Sequence, residues 1–275
     1  MQPITLYRST NRIIEFFALA FALTWGVWLP FRLFGEPGGD LVRIMGTFGP
    51  TLAALILTAA HDGTAGLYRL LRRFFVWRVS WPWYLFSLLG TAGVVLPSIW
   101  LHMRLGGDAP TFNDAEDWYL IFVYFFCILF LSVLGEEIGW RGYALPWLQG
   151  RYSALTFSII LGLVWGICHA PLFLVADGFH NSIPFTLFLL QAVALSILMT
   201  WLFNSTHGSL LMVVIFHATS NTTLGIFPVM PADNVGSARR LWIAVALLWA
   251  FTLTIIAHTG PARLSRDPRP VPHLA

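Results

Sequence analysis

The chain contains no lysine; all sixteen of its basic residues are arginine. Schiff-base chemistry on lysine, including retinal and pyridoxal attachment, is thereby excluded, and so is a P-loop, whose lysine reaches the phosphates. Charge of either sign is scarce, at 11% of 275 residues, against roughly 25% in an ordinary soluble domain. No GxSxG elbow is present to display a catalytic serine. Two cysteines occur, Cys127 and Cys168, both in apolar runs, so a disulfide framework is unsupported. No repeat, low-complexity tract or long linker divides the chain.

What remains is hydrocarbon: 57% of residues are hydrophobic, in long runs broken by short Arg-, Gly- and Pro-bearing segments. Each run meets or approaches the ~20 residues that a membrane-spanning helix needs. The pattern predicts an all-α fold, a polytopic integral membrane helical bundle of about eight transmembrane helices in one transmembrane domain over residues 1–275. The spans are expected at Ile13–Phe34, Leu41–Ala60, Trp81–Met103, Trp118–Ile138, Ser153–Val175, Ile183–Phe203, Ser209–Ile226 and Leu241–His258. Ala18-Leu19-Ala20 could pass for a signal-peptide cleavage site, but the apolar run continues beyond it, so a retained first helix is expected.

Charge asymmetry orients the bundle. Arg69, Arg72, Arg73 and Arg78 follow the second span, whereas Asp108, Asp114, Glu116 and Asp117 follow the third. The positive-inside rule then places both termini in the cytoplasm. Arg263, Arg266 and Arg269 agree with that orientation, and Arg239 and Arg240 oppose it. The stretch Leu67–Arg78 is expected to lie on anionic lipid as a basic amphipathic segment. These arginines account for the net charge of +3 without invoking nucleic acid as a partner.

Against this background the segment Leu134–Arg141, LGEEIGWR, stands out. Carboxylates at membrane depth are costly to keep and mark function by default. Glu136 and Glu137 are joined by two histidines well inside spans, His169 and His217; His61, His102, His180, His207, His258 and His273 fall in loops, span ends or the tail. Residues four apart share a helical face. Glu137 and Arg141 are so spaced and can neutralise one another, which leaves Glu136 without a partner close in sequence. Trp165 shares a face with His169 as an apolar wall, and Asn221 shares one with His217, placing two potential oxyanion donors side by side. Depth is the difficulty. With the fourth helix extended to about Pro146 and a rise of ~1.5 Å per residue, Glu136 and His169 are expected ~12 Å apart in depth, a gap that tilt or a kink near Gly135 or Gly139 must close.

At these residues the chain resembles the CAAX prenyl endopeptidase and bacteriocin-processing (CPBP) family of intramembrane proteases. The family's EExxxR is similar to Glu136, Glu137 and Arg141, its FxxxH to Trp165 and His169 with tryptophan replacing phenylalanine, and its HxxxN to His217 and Asn221. The resemblance spans about 118–226, a protease core. It implies an intramembrane endopeptidase acting on a membrane-associated peptide or protein, near its C-terminus or beside a lipid anchor. The catalytic set would be Glu136, His169, His217 and Asn221, with Glu137, Arg141 and Trp165 in support.

Two mechanisms fit. Glu136 and His169 can hold and deprotonate a water while His217 and Asn221 stabilise the oxyanion. Alternatively His169, His217 and a glutamate, Glu136 among the candidates, can bind Zn²⁺ through three protein ligands and activate the water on the metal. The metal-free route is preferred, since Asn221 is a poor zinc ligand and a good oxyanion donor. Rival functions are a non-catalytic membrane scaffold or bacteriocin-immunity-type protein of the same fold, and a proton-coupled transporter; the latter lacks ionisable residues stepping toward both faces. The arginine-only, alanine- and tryptophan-rich composition suggests a bacterial plasma membrane, with the lipid bilayer and a peptide or protein substrate as partners. There, a peptide precursor or membrane regulator suits better than a prenylated protein.

Overall fold

The computed structural model describes residues 3–34, 39–110, 119–149, 152–174, 179–231 and 237–267. Asp114, Glu116, Asp117, Arg269 and His273 lie outside them. Among the described residues the structure is helical, without a strand. The helices are α1 (Pro3–Phe34), α2 (Gly39–Thr47), α3 (Gly49–Leu71), α4 (Trp81–Leu89), α5 (Ala92–Arg104), α6 (Leu120–Gln149), α7 (Ala154–Cys168), α8 (Phe185–Ser205), α9 (Leu210–Ile226) and α10 (Arg239–Thr259). Short 3₁₀ turns follow α3 at Arg72–Phe75 and α7 at Ala170–Leu174, and one precedes α8 at Phe179–Ser182.

Each of the eight expected spans coincides with helix, although not all are straight or full length. Among the described residues six helical stretches are long and apolar enough to cross a membrane. The α4–α5 pair makes a seventh if counted as one span bent by 42° at its break. Helix α9, with 17 residues, is short of the ~20 that span unaided. The second span is also not a plain helix. It breaks between α2 and α3, where Pro50 sits in the first turn of α3, a position that a helix tolerates without losing a hydrogen bond. Helix α3 then continues past Ala60 to Leu71 through a kink at Gly63, whose φ of 62° is open to glycine without strain.

That continuation changes the fate of Leu67–Arg78. Its first part is the end of α3, and Arg73 turns inward, 7% exposed, with its guanidinium 5.4 Å over the Phe203 ring. Tyr68, Leu71, Phe75 and Trp77 are the exposed large apolar residues of this stretch. A 3₁₀ turn at Arg72–Phe75 follows α3. Both cysteines are free, as expected from their positions.

Serine caps start the two helices that carry the histidines. The Ser153 hydroxyl accepts from the Thr156 N–H and that of Ser209 from the Met212 N–H. In each case a donor that the first helical turn leaves orphaned is satisfied. The core is built where α6, α7, α8 and α9 meet, with Trp140, Tyr143, Leu161, Leu202, Phe203 and Phe216 at most 1% exposed. The outward side chains are apolar too, among them Phe122, Phe126, Phe130 and Trp242. Such an inside-out distribution, apolar on both the core and the outer faces, suits a protein whose solvent is lipid.

Candidate active site

Helix α6 carries the glutamates and is irregular around them. Wide π-turns at Leu129–Val133 and Ile138–Ala144 flank the α-helical turn Leu134–Glu137. Such turns concentrate at functional positions because they re-aim side chains within a continuous helix. Gly135 and Gly139, four residues apart, put α6 directly against the α2–α3 junction. A Cβ on Gly135 would lie 2.8 Å from the Thr47 carbonyl oxygen, and one on Gly139 2.4 Å from that of Pro50. The side chain of Thr51 tightens this seam by donating to the Leu134 carbonyl at 2.7 Å. The glutamates are thus carried on a segment pressed onto a neighbouring backbone.

All seven motif residues converge. Glu136, Glu137, Arg141, Trp165, His169 and His217 are buried, and Asn221 is half-buried. The expected depth gap does not arise, because α6 and α7 form a hairpin. Glu136 lies thirteen residues before Gln149, and His169 fifteen after Ala154. At ~1.5 Å per residue both stand ~20 Å from the same turn. The expectation measured each residue from the midpoint of its own span. At 30 residues, α6 is longer than the ~20 a bilayer requires, so its midpoint is a poor reference.

Glu136 is not unpartnered. The indole N–H of Trp165 donates to its Oε2, so Trp165 is a donor as well as a wall. The same Oε2 is 3.9 Å from His169 Nε2, too far for a direct hydrogen bond and near enough for one water to bridge. His169 Nδ1 lies 2.9 Å from the Trp165 carbonyl oxygen. A carbonyl can only accept, so Nδ1 carries a hydrogen, and in the neutral tautomer this leaves the Nε2 lone pair on the side of Glu136. A carboxylate oxygen and an imidazole nitrogen thus stand 3.9 Å apart in a buried setting.

Glu137 does more than neutralise Arg141. Its Oε1 accepts from Arg141 Nη1 at 2.7 Å and from His217 Nδ1 at 2.8 Å. The pairing fixes the Nδ1–H tautomer, so Nε2 of a neutral His217 is an acceptor; it stands 3.3 Å from the amide nitrogen of Asn221. The expectation that His217 and Asn221 act as parallel donors gives way to a chain of contacts from Arg141 through Glu137 and His217 to Asn221. Arg141, fully buried, also lies 4.7 Å over the Trp165 ring. One cation thus touches both the Glu137 branch and the Glu136 branch.

The sequence did not point to the surroundings of His169. Its ring is enclosed by Trp28 at 5.6 Å, Phe188 at 5.5 Å and His180 at 6.0 Å between ring centroids. Trp25 donates its indole N–H to the Cys168 carbonyl at 2.9 Å and ties α1 to the end of α7. His180 belongs to a loop by sequence. The short connection between α7 and α8 was the available hint that it must lie near His169. Burial beside Phe173 and Phe188 pushes the His180 pKa down to about 3, with neighbouring His169 and Arg43 adding to the effect.

A bound metal would require at least three suitable side chains around one point. Among the described residues no group of three His, Cys, Asp or Glu is so placed. The local reason is that His217 spends Nδ1 on Glu137 and turns Nε2 toward Asn221, away from a shared centre with His169.

Comparison with known proteins places this geometry. Residues 118–223 match the family described as type II CAAX prenyl endopeptidase Rce1-like. A CAAX prenyl protease 2 of Methanococcus maripaludis is 30% identical over 163 residues, which are 56% of this chain and 60% of that protein. The chain thus matches well under two thirds of the relative's length. The matched segment runs from just before α6 into α9 and holds all seven converging residues, so the likeness to Rce1-like type II CAAX prenyl endopeptidases falls on the stretch of this membrane protein that carries the candidate site.

Proposed function

We propose that the protein is an intramembrane endopeptidase that hydrolyses a peptide bond of a membrane-associated, lipid-anchored or CAAX-like peptide or protein. The observation that carries this reading is the 3.9 Å separation of Glu136 Oε2 and His169 Nε2 in a buried setting, a span that one water can bridge. A water there donates one hydrogen to each. Its oxygen lone pair then points to where a scissile carbonyl can approach, and Glu136 takes the proton as the new C–O bond forms. When the tetrahedral intermediate collapses, the C–N bond breaks and Glu136 returns that proton to the leaving amine.

The developing oxyanion needs a donor that the ground state does not fully use. Asn221 fits: one amide N–H is directed at His217 Nε2, and the second is free to meet the oxyanion. In this mechanism His217 orients Asn221, Glu137 holds the tautomer of His217, and Arg141 balances the charge of Glu137. Trp165 positions Glu136 through its N–H and His169 through its backbone carbonyl. No step requires a metal, in keeping with the use of both His217 nitrogens and the amide chemistry of Asn221. The arginine distribution supports placement in a plasma membrane with both termini on the cytoplasmic side.

The test is proteolysis by the protein reconstituted in liposomes against lipidated and unlipidated peptides, with product masses recorded. Glu136→Gln keeps the acceptor for the Trp165 N–H and removes the base. Its cleavage should fall by ~10²- to 10⁴-fold while the variant remains folded. Equal cleavage by both proteins would dismiss Glu136 as the base, and a folded wild type inert toward every peptide class would favour a scaffold.

A further inference from the structure

A second polar cavity lies at the opposite end of the bundle from His169. The Ala154 N–H bonds the Ala262 carbonyl, joining the start of α7 to the segment after α10. His169 is at the far end of α7. Beside that tie, the ends of α8 and α10 and the start of α4 border a half-open cavity of about 570 Å³ lined in part by Arg78, Trp83, Trp201, His207, His258 and Arg266. None of the motif residues contributes to it. Its size is in the range that accommodates small ligands.

The lining is cationic. Arg266 is held in place by His258, donating from Nε to its carbonyl at 2.9 Å and from Nη2 to its Nδ1 at 3.0 Å. Arg78 rests 5.2 Å from the centroid of the Trp77 ring. Neither guanidinium is in an ion pair among the described residues. The acidic member of the lining, Asp267, faces His207 at 3.4 Å. Trp83 and Trp201 meet edge to face at 5.1 Å and form an aromatic wall.

A second observation comes from the backbone. Among the described residues the non-glycine positions with positive φ are His207, at 58°, and Leu264, at 45°. His207 lines the cavity, and Leu264 directly precedes Ser265, which also lines it. Left-handed backbone on side chains that disfavour it persists where surrounding structure enforces it, and it concentrates at binding sites. Both instances fall here rather than at the glutamates.

We propose that this cavity binds a phosphate-bearing anion, its oxygens on the guanidiniums of Arg78 and Arg266 and its apolar part against Trp83 and Trp201. Guanidinium matches phosphate in geometry as well as charge, and indole walls suit the level of lipid headgroups. The anion has two possible sources, the headgroup of an anionic phospholipid or a soluble phosphate ester.

The protein is reconstituted in phosphatidylcholine nanodiscs with or without phosphatidylglycerol, and retained lipids are counted by native mass spectrometry. Wild type should hold phosphatidylglycerol in preference to phosphatidylcholine. Arg78→Gln, which removes no hydrogen bond within the described protein, should hold it about tenfold less tightly. In phosphatidylcholine alone, phenyl phosphate is added and the unfolding temperature followed. A rise in wild type that Arg78→Gln lacks supports the site and names a soluble ester as its ligand; selective phosphatidylglycerol retention without that rise supports it and names the lipid. Arg104, 5.5 Å from the Trp100 ring centroid at the other end of the bundle, gives the charge-matched control Arg104→Gln, which should behave as wild type. Equal weakening by Arg78→Gln and Arg104→Gln, or no difference between wild type and Arg78→Gln with either probe, would overturn the proposal.

Discussion

Replacing Gly139 by alanine tests whether the seam between α6 and the α2–α3 junction sets the geometry of the site. The added Cβ would stand 2.4 Å from the Pro50 carbonyl oxygen, 2.5 Å from its carbon and 2.7 Å from its Cβ. Ordinary contact begins near 3.4 Å, so about 1 Å must be found. Two of the three obstructing atoms are backbone, which cannot rotate away as a side-chain tip would. The helices must therefore part, and α6 carries Glu136 and Glu137 as it moves. Misplacement of reacting groups by ~1 Å costs on the order of 10²-fold in rate, and overpacking of a tight core costs about 1–3 kcal/mol. The expected result is a folded protein with a lowered unfolding temperature and ~100-fold slower cleavage. Gly26→Ala is the control, because a Cβ there meets nothing within 4 Å; alanine is favoured over glycine within a helix, so stability should hold or rise slightly. Wild-type stability and wild-type cleavage in Gly139→Ala would refute the claim that this seam positions the glutamates.

Three further outcomes are expected. Glu137→Gln removes the charge that Arg141 and His217 share, and breaking a buried pair of this kind costs about 3–5 kcal/mol; unfolding of the variant at an unchanged temperature would show that Arg141 is compensated elsewhere. His180, with its pKa near 3 in the folded protein and about 6.5 when unfolded, takes up its proton first in the unfolded state. Stability is then fully present above pH ~6.5 and falls with decreasing pH by at most ~1.4 kcal/mol per unit down to about pH 3. His180→Phe should flatten that decline, and parallel curves for the two proteins would dismiss the effect. Cleavage should survive exhaustive chelation; activity lost on chelation and restored only by added Zn²⁺ would replace the metal-free mechanism with a zinc one.

Composition and periodicity disclosed the helical membrane bundle because the hydrocarbon requirement acts on every span separately and needs no neighbour. The motif residues were legible for the same local reason: ionisable groups are rare in apolar helices, so Glu136, Glu137, His169 and His217 stand out singly. Helical spacing of four also foretold the Glu137–Arg141 pair, found at 2.7 Å. It could not foretell that His217, eighty residues further on, shares the same carboxylate oxygen. The role of Trp165 was half legible: it packs against His169 as the spacing of four foretold, but its N–H finds Glu136 only after α7 has packed beside α6.

By itself, then, the sequence determined which residues must be buried in a membrane and which of those carry ionisable chemistry, since both follow from the transfer of individual side chains into hydrocarbon. Tertiary structure decided which of them meet. The α6–α7 hairpin sets Glu136 and His169 at one depth, glycine at 135 and 139 lets α6 close onto Thr47 and Pro50, and α9 brings His217 to Glu137. The polar cavity at Arg78, Trp201 and Arg266 was invisible for the same reason: its walls come from three helix ends and a loop, brought together by packing that no local pattern records.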